Sequence, residues 1–61
     1  MKARWQSYLE NIKAAGWRVR YKERDRFGKA QWWAEAVKDG KRLTVTAGTL
    51  EEVMLRLWQL V

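Results

Sequence analysis

Between positions 18 and 24 every second residue is a cation: Arg18, Arg20, Lys22 and Arg24. Side chains alternate between faces along an extended strand, so this spacing lines positive charges along one side, where they repel one another until a negatively charged partner relieves them. Gln31, Glu35, Arg42 and Thr44 add the side-chain types that read base edges, and Trp33 adds an outward-pointing aromatic ring beside them. Arg donates to guanine, Gln pairs with adenine, Glu accepts from cytosine and the Thr methyl touches thymine. Acid–base and metal chemistry find little to use. With no Cys and no His, the chain offers no disulfide, thiol nucleophile, imidazole base or zinc site. Glu23, Asp25, Glu35 and Asp39 form no paired acid/base site, and Gly28-Lys29 alone is no phosphate loop. The expectation is a binding protein and not an enzyme, with no cofactor and no metal.

The elements that hold these residues follow from hydrophobic period. Trp5, Tyr8, Leu9, Ile12 and Ala15 recur at the spacing of one helix face, and Gly16 supplies a left-handed stop, predicting a first helix over about residues 2 to 15. The period then becomes two. Trp17, Val19 and Tyr21 alternate with Arg18, Arg20 and Lys22, as in a strand with one dry face and one basic face. Residues 25 to 28 read as a four-residue loop with Phe27 folded back beneath it, Ala30 to Val37 as a second strand, and Asp39-Gly40 as a two-residue hairpin turn. Arg42 to Thr46 form a third strand. Thr49 with Glu52 makes a capping box for a second helix, whose stripe is Leu50, Val53, Met54, Leu57, Trp58 and Val61.

Counting outward from the second turn pairs Val37 with Arg42, Ala36 with Leu43, Glu35 with Thr44 and Ala34 with Val45. Counting outward from the four-residue loop pairs Tyr21 with Trp32, Arg20 with Trp33, Val19 with Ala34 and Arg18 with Glu35. Both registers put apolar opposite apolar. The predicted fold is α+β, in the order α-β-β-β-α: a three-stranded antiparallel meander with both helices packed on one face, as a single domain over residues 1–61. Trp5, Trp17, Trp32 and Trp58 belong to the core and Trp33 to the opposite face, while Leu55 lies off its helix stripe and hints at a small self-association contact.

A domain of 61 residues buries a small core, and here five Trp must do the work that disulfides do in other small chains. No apolar run is long enough for a signal peptide or a membrane span, so the expected location is cytoplasmic, without a membrane partner, as a monomer or weak homodimer. Of the net charge of +6, residues 17–42 hold +5, with nine of the basic groups against four acids. Charge is therefore concentrated on the strands. A three-stranded ribbon about 10 Å across suits a B-DNA major groove about 12 Å wide. A solvated strand face is commonly rich in Lys, Arg and Thr for solubility, but the one-sided alternation sets nucleic acid ahead, duplex DNA preferred. A protein-interaction module meeting an acidic partner is the alternative.

The stretch WRVRYKERDRFGKAQWWAEAVKDGKRLTVTAGTLEEV resembles the plant ethylene-response-factor DNA-binding domain and the arm-binding domains of phage and transposon integrases. An Arg-x-Arg strand, a Gly-Lys turn, a Trp-x-Ala-Glu strand, a Gly-x-Arg hairpin and a Gly-Thr-x-Glu-Glu helix start follow in order over about residues 17 to 54. The resemblance implies a three-stranded sheet laid in the major groove, with contacts at Arg18, Arg20, Trp33, Glu35 and Arg42. The first helix has no counterpart in the plant domain, and the third strand lacks the Trp usual there. The element order is also similar to the double-stranded-RNA-binding domain, although Thr49, Leu50, Glu51 and Glu52 stand where that family carries a Lys-rich helix start. The segment AGTLEEVMLRLWQL resembles the helix start of HicB-type antitoxins, which implies a toxin-binding partner protein.

Overall fold

The structure is a computed structural model that describes residues 3–61 apart from the side chain of Arg26. It contains α1 (Arg4–Ala14), β1 (Arg18–Arg26), β2 (Lys29–Lys38), β3 (Lys41–Ala47) and α2 (Leu50–Leu60). The strands form one antiparallel sheet in the order β1-β2-β3, so the fold is the α+β meander read from the sequence. Among the described residues no helix is long and apolar enough to cross a membrane.

Both helices cover one face. Leu9 and Ile12 of α1 and Val53, Met54 and Leu57 of α2 are buried against Ala34 and Ala36 of β2 and Ala47 of β3. The two small residues of β2 have no exposed surface, and their size lets the helix backbones approach the central strand. Trp5, Tyr8, Trp17, Val19, Trp32, Leu43, Val45, Leu50 and Val61 pack around this centre, half-buried. Trp5 and Tyr21 meet edge to face at 6.0 Å, which places Tyr21 on the helix side although it is 41% exposed.

The helix ends follow the local chemistry. Gln6 Oε1 accepts a hydrogen bond from the Ala3 N–H at 2.9 Å, satisfying one orphan donor at the start of α1. Residue 2, where the predicted helix begins, lies outside the described residues. Gly16, at φ +95°, ends α1 as expected, and its N–H donates to the Lys13 carbonyl at 2.9 Å. Lys38 then fastens that end to the sheet: its Nζ donates to the Ala15 carbonyl at 2.6 Å and lies 5.9 Å from the centre of the Trp17 ring. Thr49 Oγ1 accepts from the Glu52 N–H at 3.1 Å, half of the predicted capping box. The Glu52 carboxylate turns instead to Arg56, at 2.9 Å.

The β2–β3 register is the one counted from the sequence, with Asp39-Gly40 as its turn. The β1–β2 register differs by two residues. Phe27-Gly28 is a two-residue turn, so Arg18 faces Val37, Arg20 faces Glu35, Tyr21 faces Ala34 and Lys22 faces Trp33. Closing the tight turn adds ladder pairs at Asp25–Ala30 and Arg26–Lys29 that a four-residue loop forgoes. Phe27 consequently stands out at the tip, 93% exposed, and does not fold back. Trp58 is a second correction. At 38% exposure it sits at the rim, because a sheet of three strands is too narrow to cover the whole α2 stripe. Leu55 is half-buried.

Candidate nucleic-acid interface

A shift of two residues leaves every side chain on its original face, since strand side chains alternate with period two. The basic stripe therefore lies where the alternation put it. Arg18, Arg20, Lys22 and Arg24 are all exposed on the face away from the helices, in strand β1 at the edge of the sheet. From Arg18 to Arg24 the stripe runs about 20 Å at about 3.3 Å per residue.

Trp33 sits in the middle of this face, half-buried. Its ring centre is 5.8 Å from Lys22 Nζ, directly across the ladder, and 5.4 Å from Arg24 Cζ, on the diagonal. Both distances fall within cation–π range. The predicted contact with Arg20 is replaced by these two, because the true register moves Trp33 along β1. Arg20 stands opposite Glu35 instead.

Glu35 is the recessed acid of the face. Its side chain is 12% exposed and its carboxylate lies 3.5 Å from Arg42 Nε, with Thr44 directly opposite. Arg42 is 72% exposed, so the pair adds little to stability. Its effect is positional: one guanidinium edge is held by Glu35 while the rest of Arg42 faces outward.

The structure brings Arg20, Lys22, Trp33, Glu35, Arg42 and Thr44 together on the three-stranded part of the sheet. Arg18 belongs to the same part of the sheet, in the row near the Asp39-Gly40 turn that it shares with Val37 and Arg42. Arg24 and Gln31 pair with each other beyond the end of β3, since β2 and β3 pair only as far as Trp32–Ala47. Past that point β1 and β2 continue alone as a two-stranded ribbon tipped by Phe27 and Gly28. Sequence reasoning omitted Lys29, the first ladder residue after the tip, by placing it next to a wider loop. Counting a Phe-Gly pair as a tight turn would have found it. Thr46, opposite Trp33, is also exposed on this face and was legible from its alternation with Thr44.

Among the described residues no group of three or more acids stands close enough to hold a metal ion. Compared with protein families, curated proteins and solved structures, the chain matches none.

Proposed function

We propose that this protein is a small duplex-DNA-binding module that docks its helix-free sheet face in the major groove. The observation that carries the reading is the stripe of exposed cations on one strand, Arg18, Arg20, Lys22 and Arg24, on a face that neither helix covers. Polyanion binding replaces the mutual repulsion of these groups with attraction and releases condensed counterions from the duplex. Lys22 and Arg24 are already drawn onto the Trp33 ring, which reduces the ordering they must undergo on binding. The resemblance to three-stranded-sheet DNA-binding domains points the same way. In this reading Arg20 and Arg42 meet guanine edges, Gln31 meets adenine, and Thr44 meets a thymine methyl. Glu35, recessed and bound to Arg42, orients that arginine and accepts from cytosine through its remaining oxygen.

The test is a fluorescence-anisotropy titration of labelled mixed-sequence duplex DNA over a series of salt concentrations. Docking on about five phosphates gives a log–log slope of about −4 to −5 on B-DNA. Arg20→Ala weakens binding to a selected site by about 1–3 kcal/mol and leaves folding stability nearly unchanged. Absence of duplex binding at low salt defeats the proposal and favours an acidic protein partner, while preference for double-stranded RNA in competition assigns the face to that ligand.

A further inference from the structure

The sheet has a notch at one corner of its β3 edge. β2 pairs with β3 only as far as Trp32–Ala47, while its ladder with β1 runs on to Lys29, so the first residues of β2 have a strand on one side only. Both hairpins close through two-residue turns, which makes Arg26–Lys29 and Lys38–Lys41 hydrogen-bonded pairs. Bonding alternates from there: odd-numbered residues of β2 bond to β1 and even-numbered ones to β3. The N–H and C=O of Ala30 therefore point into the notch, toward the place that Thr49 would take if β3 continued and did not turn into α2. The same alternation turns the Thr46 carbonyl outward from β3, where Arg56 Nη1 meets it at 3.2 Å.

The notch opens into a cleft of about 470 Å³ whose lining includes Lys29, Ala30, Thr46, Gly48 and Arg56. Donors predominate there: the Lys29 ammonium, the Ala30 N–H and the Arg56 guanidinium. Arg56 gives its second Nη to Glu52 at 2.9 Å, and a guanidinium has further N–H groups beyond these two contacts. Lys29, Arg56 and Glu52 together leave one positive charge, the match for the single negative charge of a phosphodiester. β1 and β3 lie two strand spacings apart, about 10 Å, in a major groove about 12 Å wide, so a docked sheet turns one edge to each phosphate wall. The cation row of β1 serves one wall. Resting on the major-groove reading above, we infer that the corner notch seats a backbone phosphate of the other wall, between Lys29, the Ala30 N–H and Arg56.

Arg56 also fastens α2 to β3, so Lys29 is the residue to change. It is exposed, and its variant keeps the fold. Lys13, exposed on α1, is the control for net charge. Wild type, Lys29→Ala and Lys13→Ala are titrated with mixed-sequence duplex DNA over a salt series. Losing one phosphate contact flattens the log–log slope of Lys29→Ala by about 1, and Lys13→Ala keeps the wild-type slope. Dimethyl phosphate, a phosphodiester without bases, is then added at constant ionic strength to isotope-labelled protein observed by NMR. The Ala30 and Gly48 amide signals move in the wild type and stay in place in Lys29→Ala. Equal slopes for the three proteins, with duplex binding intact, overturn the seat and leave the DNA-binding reading standing. A flattened slope without amide movement also overturns it, since Lys29 then meets phosphate outside the notch. Amide movement without duplex binding keeps the notch as a phosphate site and defeats the DNA reading. Absence of both defeats both.

Discussion

Trp32 points toward the helices and packs against the core, whereas its neighbour Trp33 lies on the open face between Lys22 and Arg24. Alternation along β2 sends adjacent residues of the same type to different jobs. Trp32→Ala opens a cavity beside Ala34 and Ala36 and destabilises the fold by about 3 kcal/mol, the low end for a large aromatic because the ring is only half-buried. Trp33→Ala removes two cation–π contacts and costs about 1 kcal/mol. Under the proposed DNA-binding function its larger effect falls on duplex affinity, since Lys22 and Arg24 lose the surface that orients them. Denaturant titrations of both variants followed by circular dichroism, alongside anisotropy, check the separation. A Trp33→Ala protein less stable than Trp32→Ala reverses the assignment of the two faces.

At the scale of elements, α1 is joined to the rest of the molecule by a shared apolar face, by an exposed ion pair from Arg4 to Glu51 of α2 at 3.8 Å, and at its C-terminal end by Lys38. This side chain caps a carbonyl at the C-terminal end of the helix, where a cation is favoured by the helix dipole, and lies over Trp17. Lys38→Met keeps the aliphatic stem and deletes the charge. The expected loss is about 1 kcal/mol, with hydrogen exchange quickening in the last turn of α1 and unchanged in α2. Uniform acceleration through both helices shows that Lys38 acts on global stability and not on the α1 end.

The whole molecule carries +6, most of it on the strands, and compaction brings those charges together. Raising salt from 10 to 100 mM shortens the screening length from about 30 to about 10 Å, so the thermal midpoint rises over this range. A fall in midpoint means that ion pairs such as Arg4–Glu51, Glu35–Arg42 and Glu52–Arg56 outweigh the repulsion. On the proposed duplex-binding reading, duplex DNA stabilises by a separate route, mass action: at one hundred times its dissociation constant it adds about 2.7 kcal/mol, which for a domain of this size is about 10–20 °C. A midpoint unmoved by saturating duplex contradicts binding to the folded state.

By itself the sequence determined the order of the elements, the helix-facing and open sides of the sheet, and the position of the charge. These depend on the period of two along each strand and on local signals such as Gly16, Asp39-Gly40 and Thr49, and they survive any even shift in pairing. Tertiary structure alone decided which residues became neighbours. Pairing Arg20 with Trp33 and pairing it with Glu35 satisfy the same pattern of faces, so alternation cannot choose between them. The choice fell to the ladder, which extends to its last available pair and forces Phe27 into a left-handed turn to do so. Trp58 shows the same division: the helical period placed it on an apolar stripe, and the width of a three-stranded sheet left it at the rim, because periodicity gives the direction of a side chain while burial depends on how much surface lies opposite.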